Sequence, residues 1–234
     1  MKKIKIFSIP YAGGSASMYW QLKNMLSEDI ELIPIELSGH GIRYSEKLNY
    51  SITDIVQDVI GQIIEVGLDT PFCLMGYSMG SLICYEVYYE LIQKYRCLPQ
   101  HIFLCASDNP FAKRIYENID QLEDKELIKK LKERKGTPDE VLNNQEIMDI
   151  VLPQIRADFT AYDNYCATRY KKKILTSATI INGDEEYKEE NSIYEWESYF
   201  SSKCEFINLK GGHFFIFDRV KEVAQIINLK LKRY

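Results

Sequence analysis

The amino-acid sequence predicts an α/β fold with a mostly parallel central sheet, helices on both faces of the sheet and a helical lid insertion. Three observations predict it. Short apolar runs alternate with segments of helical periodicity. The pentapeptide Gly-Tyr-Ser-Met-Gly at residues 76–80 joins a strand to a helix, and residues 109–172 contain no convincing strand. Because parallel strands need crossover connections, this alternation favours a parallel sheet that is covered on both faces.

Six apolar runs have the length of buried strands: residues 4–9, 30–37, 71–75, 101–106, 178–182 and 204–209. Helices are expected at 17–26, after Ser51, after Ser78, at 193–200 and at 220–231. The helix after Ser51 has the clearest pattern, because serine is a good N-cap and the apolar residues that follow have a 3.6-residue period. These residues are Ile52, Ile55, Val56, Val59, Ile60 and Ile63.

The charged segment 109–172 is predicted to be helical and to be inserted between two strands. An insertion at the carboxyl edge of a parallel sheet lies beside the place where ligands bind, so we expect it to act as a lid. No linker or internal repeat divides the sequence. Residues 1–234 are therefore predicted to form a single domain that carries this lid.

The composition argues against several function classes. A net charge of −5 without a dense basic block argues against a nucleic-acid partner. No apolar run approaches the length of a membrane span, and Lys5 interrupts the apolar run at the N-terminus, so we expect a cytoplasmic protein without a signal peptide. The six cysteines have no CxxC spacing, which predicts reduced thiols rather than a metal site.

The pentapeptide at 76–80 has the G-x-S-x-G spacing of a nucleophile elbow, a sharp turn that lifts a serine hydroxyl out of the sheet. Its glycines avoid a clash with the neighbouring strand or helix. The helix that begins after the serine directs unpaired N–H groups and its positive dipole end towards the reacting centre. We therefore predict that Ser78 is a nucleophile; the alternative is an ordinary glycine–serine turn.

A serine nucleophile needs a general base, and the sequence contains three histidines. His213 follows the last predicted strand in a Gly-Gly-His-Phe-Phe loop, as the order serine, acid, histidine requires. We predict that His213 deprotonates Ser78 and later protonates the leaving group. His40, in a glycine-rich loop before the serine, is the alternative base, whereas His101, at the start of a strand, is expected to be structural.

The acid that orients the base should follow a strand between the serine and the histidine. Asp184, Glu185 and Glu186 are consecutive carboxylates just after such a strand. Hydrolases commonly place the acid at the fourth position of G-x-x-D, which here is Glu186. Asp184 is the main alternative, and Asp108, which follows an earlier strand, is another; at this stage the choice stays open.

An oxyanion hole needs two N–H donors that face the developing negative charge. The backbone N–H of Met79, directly after the nucleophile, is the first candidate. The second is the N–H of Ala12 in the loop Pro-Tyr-Ala-Gly-Gly-Ser at 10–15, because its glycines let the backbone approach a substrate closely. This loop lacks the G-x-x-x-x-G-K spacing of a phosphate-binding loop.

Together these motifs resemble the type II thioesterases, stand-alone α/β-hydrolases that accompany nonribosomal peptide synthetases and polyketide synthases. The resemblance is carried by segments 10–16, 37–43, 71–80, 136–142, 152–159 and 211–215. The lid segments 136–142 and 152–159 discriminate best, since generic lipases and esterases do not resemble them. The sequence departs from the family at two positions: Tyr77 replaces a histidine that only flanks the turn, and Glu186 replaces the aspartate.

The resemblance implies a serine thioesterase of α/β-hydrolase fold. Its substrates would be acyl or aminoacyl thioesters on the phosphopantetheine arm of carrier proteins, which are the expected partners, and its role would be to edit peptide or polyketide assembly lines. We expect a monomer that needs no cofactor or metal and no membrane. The alternatives are a small-molecule carboxylesterase or lipase and, from another class, an inert module that only binds carrier proteins.

Overall fold

A six-stranded parallel sheet forms the centre of the molecule. The computed structural model describes residues 3–112, 119–133, 143–167, 170, 172–186 and 193–232. The strands are β1 (Ile4–Ile9), β2 (Ile30–Pro34), β3 (Phe72–Tyr77), β4 (His101–Cys105), β5 (Ser177–Gly183) and β6 (Glu205–Leu209). Their order is β2-β1-β3-β4-β5-β6, and every adjacent pair is parallel. The predicted fold class is confirmed.

Helices connect the strands. They are α1 (Trp20–Lys23), α2 (Ile52–Val66), α3 (Met79–Glu90), α4 (Asp124–Glu133), α5 (Gln145–Asp163), α6 (Phe215–Asp218) and α7 (Val220–Leu231). Short 3₁₀ turns lie at Ala16–Tyr19, Gly41–Arg43, Ile119–Gln121 and Tyr194–Tyr199, and a π-helical turn at Leu91–Tyr95 continues α3. None of the helices in the described ranges is long and apolar enough to cross a membrane.

Alternating side chains of each strand supply two hydrophobic cores, one on each face of the sheet. On β1, Phe7 packs into the core that includes α2 and α3, whereas Ile6 packs into the core that includes α1 and α7. All six apolar residues predicted for α2 are buried, and the Ser51 hydroxyl accepts the N–H of Asp54 at 3.1 Å, as expected for an N-cap.

Three predicted elements differ from the structure. The predicted strand 30–37 ends at Pro34. Ile35 and Leu37 remain buried as the chain leaves the sheet, which explains why the apolar run suggested a longer strand. The helix predicted at 17–26 is a 3₁₀ turn followed by one α-helical turn, and the helix predicted at 193–200 is a 3₁₀ helix.

Helices α4 and α5 lie within the segment predicted to be the lid. They share a small hydrophobic core of their own. It is built from Ile119, Leu127, Leu131, Met148, Leu152 and Ile155. Residues 113–118, 134–142, 168–169 and 171 of the predicted lid, and with them the motif at 136–142, lie outside the described residues.

Candidate active site

Ser78 lies in a sharp turn at the carboxyl edge of the sheet, between the last residue of β3 and the first residue of α3. Its backbone has φ 53° and ψ −117°, an unusual conformation for a residue with a side chain. A Cβ on Gly76 would lie 2.2 Å from the carbonyl oxygen of Gly80, and one on Gly80 would lie 2.3 Å from that of Ile9. Both glycines of the pentapeptide are therefore required by close backbone packing.

A residue that no sequence motif singled out braces this turn. Ser81 is fully buried, and its hydroxyl donates to the carbonyl of Gly76 at 2.9 Å and accepts the N–H of Cys105 at 3.1 Å. The N–H of Ser78 itself donates to the carbonyl of Cys105 at 2.8 Å. These bonds fix the ends of β3 and β4 around the serine. Burial raises the pKa of the Cys105 thiol to about 12, so this neighbouring cysteine is not a competing nucleophile.

The structure brings Glu186 and His213 together. Oε1 of Glu186 lies 2.5 Å from Nδ1 of His213; the Glu186 side chain is largely buried, whereas the His213 side chain is partly exposed. The two residues come from the loops that follow β5 and β6, which are adjacent strands. Gly183 permits this approach, because a Cβ there would lie 2.3 Å from the carbonyl oxygen of Gly211.

The other two candidate acids have different surroundings. Asp184 accepts the N–H of Gly211 at 3.0 Å and forms an ion pair with Lys210 at 2.7 Å. The hydrogen bond with Lys210 holds the pKa of Asp184 below its usual range. Asp184 thus fastens the loop before His213, whereas the carboxylate against the imidazole belongs to Glu186. Asp108 lies in the loop after β4, where its carbonyl accepts the Ser107 hydroxyl at 3.0 Å.

Tyr77 contacts the candidate base, which the sequence analysis did not foresee. Its hydroxyl donates to the backbone carbonyl of His213 in a short hydrogen bond, and the two rings lie edge to face with centroids 6.0 Å apart. Tyr77 is fully buried, and burial raises its pKa well above the ordinary value, so the hydroxyl stays a donor. The residue that precedes the nucleophile therefore does more than flank the turn.

The candidate oxyanion donors lie on neighbouring segments. Met79 is the first residue of α3, so its N–H is one of the N-terminal amides that have no acceptor within the helix. Gly80 packs closely against Pro10, because a Cβ on Gly80 would lie 2.7 Å from the carbonyl oxygen of Pro10. This packing brings the loop after β1 beside the start of α3. Ala12 lies in that loop, next to Gly13, whose N–H is held by a side chain of α5.

The remaining histidines lie elsewhere. His40 is buried, with Nε2 3.0 Å from Oδ2 of Asp158 and Nδ1 3.1 Å from the carbonyl of Ser38. His101 is buried between two hydroxyls, those of Ser177 at 2.7 Å and Thr179 at 2.9 Å. Both rings are thus engaged within the protein, and the structure places neither of them against Glu186.

The chain was compared with known proteins. A family model described as a thioesterase domain matches residues 4–231. The gramicidin S biosynthesis protein GrsT of Aneurinibacillus migulanus is 29% identical, over 98% of this chain and 90% of its own length. The thioesterase PikA5 of Streptomyces venezuelae is 23% identical, over 95% of this chain and 80% of its own. The crystal structure of ClbQ from the colibactin NRPS/PKS pathway has the same fold, with a TM-score of 0.94 at 24% identity over 99% of this chain and 98% of that chain.

Proposed function

Because this chain belongs to the thioesterase domain family, it is a thioester hydrolase, and we propose that it removes acyl or aminoacyl groups from the phosphopantetheine arms of carrier proteins. The similar proteins support this substrate class: GrsT is a gramicidin S biosynthesis protein, and ClbQ comes from an NRPS/PKS pathway. Such assembly lines hold their intermediates as carrier-bound thioesters. The proposed role is editing, in which stalled or wrongly loaded groups are cleared.

In the first half-reaction, Ser78 is the nucleophile. Its Oγ attacks the thioester carbonyl carbon while Nε2 of His213 accepts the hydroxyl proton. The backbone amides of Met79 and Ala12 stabilise the oxyanion of the tetrahedral intermediate. The carbon–sulfur bond then breaks, the proton passes from His213 to the departing sulfur, and the acyl group remains on Ser78 as an ester.

In the second half-reaction, water takes the place of the thiol. His213 removes a proton from the water as it attacks the Ser78 ester, and then returns the proton to Oγ when the carboxylic acid leaves. Glu186 accepts the Nδ1–H of His213 in both halves and stabilises the imidazolium that forms in each.

The observation that carries the proposed mechanism is the 2.5 Å contact between Glu186 and His213. A carboxylate on Nδ1 fixes the histidine tautomer in which Nε2 is free to act as a base. The strained turn at Ser78 adds to this, because it presents the hydroxyl at the sheet edge where the loops carrying Glu186 and His213 also lie.

Intact-mass analysis of acylated carrier proteins, before and after incubation with the enzyme, tests the proposal. We expect the acyl mass to be lost, and Ser78→Ala to slow this loss by roughly 10⁶-fold while the fold is retained. A panel of p-nitrophenyl esters serves as the comparison. Preference for the free esters would favour a small-molecule esterase, and failure of a fluorophosphonate to label Ser78 would favour an inert binding module.

A further inference from the structure

Asp158 of α5 connects the lid to the loop that carries the candidate oxyanion donor. The carboxylate is buried, with a side-chain exposure of 2%. Its Oδ2 accepts the backbone N–H of Gly13 at 2.6 Å and lies 3.0 Å from Nε2 of His40. One carboxylate oxygen therefore meets both a backbone amide beside Ala12 and a buried imidazole.

The same turn of α5 makes two further contacts with residues outside the predicted lid. A Cβ on Gly13, where φ is +76°, would lie 2.4 Å from Cγ1 of Ile155, so the loop packs directly on the helix. Nε2 of Gln154 donates to the carbonyl of Gly39 at 2.8 Å. Asp158 thus holds the loop of residues 10–15, here called the oxyanion loop, by a hydrogen bond. Gln154 holds a different loop, the one that contains Gly39.

His40 explains how a buried carboxylate can be maintained at this position. Burial alone lowers the pKa of His40, but the Asp158 carboxylate, the Ser38 carbonyl and the Glu36 carboxylate together outweigh burial, and the pKa lies above its ordinary value. The Glu36 carboxylate, which accepts the N–H of Ala16 at 2.8 Å, also favours the protonated ring. A protonated His40 compensates the charge that Asp158 brings into the interior.

We propose that Asp158 is a positioning residue for the reaction, which fixes the Gly13 amide and thereby the orientation of the Ala12 N–H in the oxyanion hole. His40 acts through Asp158 by holding its carboxylate. This inference rests on the proposed function, since it assumes that an oxyanion forms at this loop. It assigns to the lid helix a part in stabilising the transition state, in addition to covering the site.

Two variants in the same turn of α5 distinguish positioning of the oxyanion loop from mere attachment of the lid to the rest of the domain. Asp158→Ala removes the bond to the oxyanion loop, whereas the matched control Gln154→Ala removes the bond to Gly39. We expect Asp158→Ala to lower kcat on a carrier-bound thioester about 10- to 100-fold with KM nearly unchanged, because loss of a whole oxyanion donor costs about 10²–10³-fold. Gln154→Ala should keep kcat within about threefold of the parent.

Hydrogen exchange of a peptide spanning residues 10–16 gives a readout that does not depend on activity. Exchange there should be faster in Asp158→Ala than in the parent or in Gln154→Ala. If Asp158→Ala does not fold, Asp158→Val takes its place, since its apolar side chain fills more of the buried position than alanine and still cannot accept the Gly13 N–H; it should show the same faster exchange.

Unchanged exchange at residues 10–16 in Asp158→Ala, or in Asp158→Val where that variant is used, would show that the carboxylate does not anchor the loop. Faster exchange with an unchanged kcat would show that the anchor has no part in the reaction. A parent enzyme that neither hydrolyses the thioester nor reacts with a fluorophosphonate would instead overturn the proposed function. The exchange rates at residues 10–16 would still show whether Asp158 anchors the loop.

Discussion

Glu186 occupies a position where the resemblance implies aspartate, and backbone hydrogen bonds fasten its loop to the loop that carries His213. The N–H of Asp184 donates to the carbonyl of Leu209 at 2.8 Å, and that of Glu185 donates to the carbonyl of Gly211 at 3.0 Å. The loops that carry Glu186 and His213 are therefore fastened to each other directly beside both residues. This fastening fixes the backbone from which both side chains extend, whereas it does not restrict the extra rotatable bond of the glutamate side chain.

The first prediction is that Glu186→Gln lowers turnover roughly 10²–10³-fold. Neutralising the acid of a triad in place has cost about 10⁴, and we expect a smaller loss because glutamate holds the ring less rigidly than aspartate. Asp184→Asn and Asp108→Asn should stay within about tenfold of the parent. Single-turnover rates on one acyl-carrier substrate compare the three variants. A severe defect in either aspartate variant, with Glu186→Gln nearly normal, would assign the acid elsewhere.

The second prediction concerns Tyr77. Tyr77→Phe removes the donor to the His213 carbonyl, so we expect a loss of about 1 kcal/mol in the free energy of unfolding and a fall in kcat of roughly tenfold from a less well placed imidazole. Tyr88→Phe is the matched control, since the Tyr88 hydroxyl accepts the N–H of Leu175 at 2.8 Å, a hydrogen bond that involves no residue of the predicted triad.

Denaturant titration and steady-state kinetics of the two tyrosine variants test this assignment. Both should be destabilised to a similar extent, but only Tyr77→Phe should lose kcat. If both variants keep the parent kcat, the tyrosine supports the fold alone, and the position before the nucleophile has no influence on the base.

At the scale of secondary structure, the two lid helices differ in how they are attached. Arg156 of α5 donates to the carbonyl of Ile119 at 2.6 Å and pairs with Asp124 at 2.7 Å, which links α5 to the start of α4. Helix α5 also contacts residues outside the lid through Gln154, Ile155 and Asp158. Helix α5 is thus fixed to the rest of the domain.

The third prediction is that hydrogen exchange divides the lid into two parts. Helix α4 should exchange quickly, because it packs on the small lid core, while residues 154–163 of α5 should exchange slowly. Binding of an acyl-carrier protein should slow exchange in α4 if the lid moves to admit the phosphopantetheine arm. Uniformly slow exchange across both helices, unchanged by carrier protein, would contradict the expectation of a mobile lid.

Local patterns sufficed to predict most elements but not the contacts between them. The strand at Ile4–Ile9 and the helix at Val220–Leu231 have the predicted bounds, because each is a continuous apolar run or period between clear breaks. The elbow at Ser78 was recognisable for the same reason. Tyr77, Ser81 and Asp158 were not assigned functional contacts, since their partners His213, Cys105 and Gly13 lie far away in the sequence and no local period links them.

At the scale of the whole molecule, the two buried histidines tie stability to pH in opposite directions. His101 lies at the start of β4, and burial, aided by the charge of Lys230, lowers its pKa to about 4. Lys230 forms an ion pair with Glu205, so the cation near His101 is already paired with a carboxylate. The pKa of His40 is raised instead, because Asp158, the Ser38 carbonyl and Glu36 together outweigh burial.

The last prediction follows from His101. Between its unfolded pKa of about 6.5 and its folded pKa of about 4, the unfolded chain binds a proton that the folded chain does not, so the stability must fall as the pH falls through this window. The full effect is about 3 kcal/mol, since each pKa unit corresponds to about 1.4 kcal/mol. His101→Asn removes this titration, and its difference in unfolding free energy from the parent should therefore change with pH in the same window.

His40→Gln provides the contrasting variant. A raised folded pKa stabilises the protein below the unfolded value of about 6.5, and this contribution is lost as the pH rises through the folded pKa. Urea unfolding at pH values between about 4 and about 8 measures both differences against the parent. The difference in unfolding free energy between the parent and His101→Asn should grow in favour of the parent between about pH 4 and about pH 6.5. The corresponding difference between the parent and His40→Gln should shrink above about pH 6.5. Parallel curves for the parent and His101→Asn would mean that the buried imidazole titrates equally in the folded and unfolded chains, and that burial does not keep it neutral.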